Sequence, residues 1–273
     1  MIDLKYPLLL VHGIGFRDSR VVCYWGRIPK ALEAEGVKCF FGEQDSNGTV
    51  EDNGRFLTER IRTLAAEHDI PKFNVIAHSK GGLDMRYAIS TMGIGDLVAS
   101  LTTICTPHNG SYTVDKLMRA PKFLVKFVGW CSDLGLRIQG DKKPNAYEVY
   151  KSFTTGWAEE FNRANPDVPG IYYQSYSFTF SSMCSDMFLW FTHMVVKHVE
   201  GENDGLLTPR AVKWTNFQGV YTGTTNRGIS HCDEVDMRRM RLTKKPSVPS
   251  DNKVSDMPDF YLDVVRGLAA RGL

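Results

Sequence analysis

The chain has 273 residues, 42% of them hydrophobic, and its 33 basic and 31 acidic side chains leave a net charge of +2. That is enough apolar material for one large core, and so even a charge balance gives no reason to expect nucleic acid as a partner. The longest apolar run, 187–196, is interrupted by His193 and is too short to span a bilayer. No repeat, low-complexity segment or Pro/Ser-rich linker divides the sequence, so residues 1–273 read as a single domain. The six cysteines, at 23, 39, 105, 131, 184 and 232, form no C-x-x-C and fit reduced thiols.

Taken in chain order, the first element is an apolar strand over 7–11, closed by His12-Gly13-Ile14-Gly15-Phe16. A strand ending in H-G some way ahead of a serine turn is the usual place for half of an oxyanion hole, here the backbone N–H of Ile14. A helix over 25–35, a strand over 37–41 and a helix over 54–68 follow. Next comes Val75–Asp84, V-I-A-H-S-K-G-G-L-D, in which a buried strand over 73–77 meets a helix over 81–91. Ser79 occupies the bend. Ala77 and Gly81, two residues to either side, supply the smallness that G-x-S-x-G provides when strand and helix pass closely. The second oxyanion N–H would be that of Lys80, and two fixed donors aimed at developing negative charge form a strong electrostatic element in acyl transfer.

A strand over 100–104 leads to T-P-H-N-G and then to an insert, 111–150. Within it a helix starts at Pro121 and runs to Trp130, apolar on most of its surface apart from Lys122 and Lys126. Such a helix is either an ordinary core helix or a lid over an apolar cleft, and its place after the strand that follows the serine turn favours the lid. Strands over 171–178, 194–199 and 218–222 come next, with helices over 231–240 and 258–270. The pattern predicts a doubly wound, mostly parallel sheet of about six to seven strands with a helical lid insert, an α/β fold that places ligands at the carboxyl ends of its strands.

A serine nucleophile needs a base and an orienting acid. Of the seven histidines, His68 reads as solvated, His78 as pointing away from Ser79, His108 as a residue that could line the site, and His193 and His198 as core or surface. His231, in G-I-S-H-C-D-E, remains as the base. Asp204, in E-N-D-G, is the acid, although most N-D-G turns are only turns. The order Ser79, Asp204, His231 is the Ser…Asp…His order of α/β-hydrolases.

The chain resembles bacterial triacylglycerol lipases of the Pseudomonas and Burkholderia type. The resemblance rests on Tyr6–Gly13, on His78–Leu83 with Arg86-Tyr87, and on Leu97–Ser100. Thr103–Ser111, Asn203–Leu206 and His231–Glu234 complete it. It implies Ser79 as nucleophile with Asp204 and His231 as partners, Ile14 and Lys80 as oxyanion donors, and no required cofactor. In those lipases an aspartate two residues after the histidine helps to hold a structural calcium. Asp233 is that residue here, with Asp186 a candidate second ligand; two solvated or helix-capping aspartates are the other reading. The family's disulfide is not supported, since its second position is occupied around Arg210.

The expected activity is hydrolysis of carboxylic esters, with medium- to long-chain acyl glycerols as substrates, at a lipid–water interface. Short-chain esterase, thioesterase, polyester hydrolase and acyltransferase are alternatives on the same fold, and a non-catalytic binding protein is a further one. The pocket should be apolar, with Ile14, Phe16, Phe123, Phe127 and Trp130 facing it. The basic run Arg238, Arg239, Arg241, Lys244, Lys245 reads most simply as a solvated face. The first strand begins so near Met1 that no removable leader fits, which implies a cytoplasmic protein, or a secreted one whose leader has already been removed.

Overall fold

The computed structural model describes residues 1–15, 23–138, 140–181, 186–247 and 251–273. Phe16 and Cys184 lie outside the described residues. The elements in order are β1 (Leu8–Val11), α1 (Ile28–Ala34), β2 (Cys39–Phe41), α2 (Val50–His68), β3 (Phe73–His78), α3 (Lys80–Ser90) and β4 (Val98–Ile104). The insert carries α4 (Tyr112–Met118), α5 (Lys122–Ile138) and α6 (Ala146–Lys151). Then come α7 (Thr155–Ala164), β5 (Tyr172–Phe178), α8 (Trp190–Glu200), α9 (Pro209–Val212), β6 (Phe217–Gly223), β7 (Lys253–Val254) and α10 (Met257–Ala269).

The seven strands form one sheet in the order β2-β1-β3-β4-β5-β6-β7, and every pairing is parallel. The winding direction reverses between β1 and β3, which opens a crevice at their carboxyl ends. Side chains alternate across the sheet. Leu8 and Leu10 of β1 pack with Ile28 and Leu32 of α1 and with Tyr261 and Val265 of α10. Leu9 and Val11 face the other way, onto Leu57 and Ile61 of α2 and Met85 of α3. Each such fully buried aliphatic side chain contributes about 1.5–3 kcal/mol relative to an exposed one.

Two expected elements differ. The strand expected at 194–199 is the helix α8. Its run of apolar residues satisfies both of its faces, so periodicity alone does not separate strand from helix there. Trp190, Phe191 and Met194 are exposed, while His193 and Val196 point inward. The helix expected over 231–240 is reduced to a 3-10 turn, Asp233–Val235, ended by Asp236 in the left-handed region (φ 55°). Two acidic side chains of this stretch are drawn into ion pairs, Asp233 with Arg227 at 2.9 Å and Asp236 with Arg27 at 2.6 Å. The sequence reading also passed over α7 and the two-residue edge strand β7.

In the insert, α5 runs eight residues beyond the expected end at Trp130, to Ile138. It is not a buried core helix. Phe123, Phe127 and Trp130 are 70, 61 and 59% exposed, and among its described side chains Val125 and Leu136 are buried. The expectation that these aromatics face the pocket is therefore corrected: they form the outer face. The inner end of the insert is tied to the loop after β2, where Asp141 accepts the backbone N–H groups of Ser46 and Asn47, both at 2.9 Å. Among the described residues no helix is long and apolar enough to cross a membrane.

Candidate active site

Ser79 joins β3 to α3 with φ 53° and ψ −130°, a strained conformation for a side-chain-bearing residue. Its surroundings hold it there. The Ser79 N–H donates to the Ile104 carbonyl at 2.8 Å, and the Ser79 carbonyl accepts from Thr106 Oγ1 at 2.7 Å and from the Gly82 N–H at 3.1 Å. Gly81 is required by close approach, because a Cβ there would lie 2.4 Å from the His12 carbonyl oxygen.

The loop after β1 runs against the serine. A Cβ on Gly13 would lie 2.7 Å from Ser79 Cβ and 2.9 Å from the Tyr24 hydroxyl. Buried His12 fixes this loop: its Nε2 lies 3.0 Å from the Gln44 carbonyl, and Gln44 Nε2 donates back to the His12 carbonyl at 2.7 Å. Ile14 follows, half-buried. Lys80 begins α3, and its buried ammonium donates to both Asp84 oxygens at 2.6 and 2.9 Å. Burial pushes the Asp84 carboxyl up to about 6, against the pull of that ammonium. The Lys80 charge is thus matched inside its own helix, and its backbone N–H, at the first position of α3, is what it presents to the turn.

His231 and Asp204 are doubly joined. His231 Nδ1 lies 2.8 Å from Asp204 Oδ2, and the His231 N–H donates to the Asp204 carbonyl at 2.8 Å. Asp204 Oδ1 accepts the N–H groups of Leu206 and Leu207 at 2.8 and 2.7 Å. Burial works to raise this carboxyl, but the His231 ring and these hydrogen bonds outweigh it and hold Asp204 below the usual range. With Nδ1–H given to the carboxylate, Nε2 is left as the acceptor. Asp204 does not follow a strand as expected. It follows α8, and an isolated bridge from Asn203 to Phe180 brings it back to the carboxyl end of β5. His193 fastens the same turn, its Nδ1 lying 2.9 Å from Asn203 Oδ1.

The crevice also holds Tyr24 and Glu234, which sequence reasoning passed over, and His78, which it read as pointing away from Ser79. The His78 ring, adjacent to Ser79 in sequence, lies 4.5 Å from the His231 ring between centroids. The Tyr24 hydroxyl lies 2.7 Å from His78 Nδ1, and His78 Nε2 lies 2.9 Å from Glu234 Oε2, which is 3.5 Å from His231 Nδ1. Burial, then the charges of His231 and His12, hold His78 well below the usual imidazole range, while burial and the Asp204 carboxylate push Glu234 well above the usual carboxylate range. Both shifts favour the uncharged forms of His78 and Glu234, whereas the Asp204 carboxyl beside His231 is shifted the other way. The spacing of Glu234 three residues after His231 was the one available signal. His108, expected as a candidate lining residue, is a core histidine between Arg86 and Thr103, stacked on Trp214.

Asp186 and Asp233 do come together, but not as a calcium site. Arg238 reaches Asp186 at 3.2 Å and Asp233 at 3.3 Å, and Arg227 adds a pair with Asp233 at 2.9 Å. These carboxylates are already matched by guanidinium, so the residues present do not fit the cation. Arg238 stays exposed on its outer side, but its guanidinium is paired with both aspartates. Cys23, Cys39, Cys105 and Cys232 are free thiols.

The family model described as palmitoyl protein thioesterase matches residues 7–176, more than half of the chain. A protein named triacylglycerol lipase 2 from Saccharomyces cerevisiae is 26% identical over 258 residues, spanning 91% of this chain and 74% of that protein. A triacylglycerol lipase from Burkholderia plantarii is 38% identical over 117 residues, 41% of this chain, so the match spans only 32% of that lipase. In fold, the chain superposes on the mature form of a Bacillus licheniformis lipase with a TM-score of 0.65, at 21% identity, over 86% of this chain and 89% of the other. The chain belongs to the palmitoyl protein thioesterase family and is a lipase-like ester hydrolase of the α/β-hydrolase superfamily.

Proposed function

We propose that the chain hydrolyses medium- to long-chain carboxylic esters of lipids, acyl glycerols among them, with Ser79 as nucleophile, His231 as base and Asp204 as orienting acid. The observation that supports this reading is the His231–Asp204 pair, whose His231 ring lies 4.5 Å from the ring of His78, the residue that precedes the strained Ser79 turn. Ser79 Oγ attacks the ester carbonyl carbon as His231 Nε2 takes its proton. The developing oxyanion is met by the N–H groups of Ile14 and Lys80. Collapse expels the alcohol, which takes the proton from His231. Water, deprotonated by the same nitrogen, then releases the fatty acid from Ser79.

Residues 111–150 act as the lid in this reading. Ser79 and His231 are only 5 and 7% exposed, which suits a site sheltered by such an insert. The outward aromatics of α5, with Phe188 and Phe191 before and on α8, suit contact with a lipid–water interface better than with bulk water. A thioester is the second reading, favoured by the family match over residues 7–176.

Turnover of nitrophenyl esters with acyl chains of two to sixteen carbons, an acyl glycerol emulsion and a palmitoyl thioester tests both. Each buried methylene adds up to about 0.8 kcal/mol, so six methylenes give at most roughly 5 kcal/mol and about half that once chain ordering is subtracted. Octanoate esters should therefore exceed acetate in kcat/KM by at least tenfold, on the order of one to two pKa-sized steps of 1.4 kcal/mol. A preference for acetate would refute the lipid reading, and a thioester turned over far better than its oxygen ester would select the second.

A further inference from the structure

We propose that Arg238 holds the His231 loop in the role a divalent cation could play, so that the base is positioned by a guanidinium built into the chain and activity is independent of calcium. This rests on the assignment of His231 as base.

Asp186 and Asp233 are both almost fully buried. Each of their four carboxylate oxygens has two donors. Asp186 Oδ1 accepts the N–H groups of Phe188 and Leu189 at 2.9 and 3.2 Å, and its Oδ2 faces Ser230 Oγ at 2.6 Å and Arg238 Nη2 at 3.2 Å. Asp233 Oδ1 faces Arg227 Nη2 at 3.0 Å and Arg238 Nε at 3.3 Å, and its Oδ2 faces Arg227 Nη2 at 2.9 Å and the Ser230 N–H at 3.3 Å. Calcium would need six to eight oxygens at about 2.3–2.6 Å, which these saturated carboxylates cannot supply without ejecting their partners. Two guanidinium groups beside the same oxygens would also repel it. The charges of two arginines balance those of two aspartates, which two buried carboxylates require.

The connectivity gives the cluster its consequence. Arg227 precedes His231 and Arg238 follows it, and both close onto Asp233 within the same loop. Asp186 stands at the start of α8, and the turn after α8 carries Asp204. Arg238 and Ser230 therefore tie the loop of the base to the helix that leads to the acid. Arg238 never touches substrate; it is a positioning residue. A guanidinium stays charged at any working pH and does not dissociate from the chain.

The test uses the full chain, octanoate ester turnover and thermal melting. For the unmodified protein, excess EDTA and excess calcium should each leave kcat and Tm unchanged. Arg238→Ala should lower kcat about 10- to 100-fold with KM within about twofold, the signature of a misplaced base. Added guanidinium ion should restore part of that loss in this variant alone, by entering the space between Asp186 and Asp233. Arg238→Lys keeps the charge but not the fork, should fold even if the alanine variant does not, and should fall between the two. A fall in Tm or kcat of the unmodified protein on chelation, reversed by calcium, overturns the proposal, as does full kcat in Arg238→Ala or Arg238→Lys. If the unmodified protein hydrolyses no ester, the functional reading fails by itself, while the melting curves with chelator still decide whether a metal holds the loop.

Discussion

Gly13→Ala probes the oxyanion side of the crevice with the smallest possible change. The added Cβ would lie 2.7 Å from Ser79 Cβ, 2.9 Å from the Tyr24 hydroxyl and 3.2 Å from the His78 carbonyl oxygen. Ordinary carbon–carbon contact is about 3.5–4.0 Å, so the overlap with Ser79 is on the order of 1 Å. Ser79 cannot yield easily, because the Ile104 carbonyl and Thr106 Oγ1 hold its backbone at 2.8 and 2.7 Å. The Gly13-Ile14 segment must move instead and carry the Ile14 N–H with it. A displacement of about 1 Å costs roughly 10²-fold in rate, the scale of losing one oxyanion donor. Overpacking costs about 1–3 kcal/mol of stability in addition. The assay is octanoate ester turnover together with urea unfolding. Gly156→Ala is the control, since Gly156 lies in α7 with no atom within 4 Å of the new Cβ; it should keep full activity and gain about 0.5 kcal/mol. If Gly13→Ala keeps kcat within about threefold while folding normally, the Ile14 N–H is not an oxyanion donor.

Ser79→Ala and His231→Ala should each lower kcat about 10⁴- to 10⁶-fold, and the double variant little more, because residues that act as a unit are not additive. Losses that multiply would dissolve the pair. His108 gives a pH test away from the crevice. Burial, then the Arg86 charge, hold its imidazole well below the usual range, so below about pH 6.5 the unfolded chain binds a proton that the folded one refuses. Its contribution is fully present above pH 6.5 and is lost as pH falls. The stability gap between the unmodified protein and His108→Gln, read by urea unfolding, should therefore shrink by about 2 kcal/mol from pH 7 to pH 5. A constant gap would mean that His108 is charged in the fold.

Much of the centre was legible because its constraints are local. Ala77, Ser79 and Gly81 lie within five residues, and the steric demand of a strand turning into a helix acts over that distance. The helix α2 was legible too, but its start was placed at residue 54 rather than at Val50, where Thr49 Oγ1 accepts the Asp52 N–H at 3.1 Å. Gly54 read as a boundary. In the fold it is an interior residue that makes room for the Tyr87 ring, which a Cβ would approach to 2.4 Å. Strong local signals misled where the deciding partner lay far off in sequence.

The sequence by itself determined the order of strands and helices from β1 to β4, the serine turn, and the Ser79, Asp204, His231 succession, because periodicity, glycine sterics and motif spacing are properties of short segments. Only the tertiary structure decided that 190–200 is helical, that Phe123, Phe127 and Trp130 face outward, that His78 and Glu234 share the crevice as a hydrogen-bonded pair, and that Arg238 answers Asp186. The physical reason is the same in each case. Whether an apolar residue is covered, and whether a buried charge finds its opposite, depends on which distant segments the sheet brings to one end, and Asp186 and Arg238, 52 positions apart in sequence, meet only after β6 and α8 are in place.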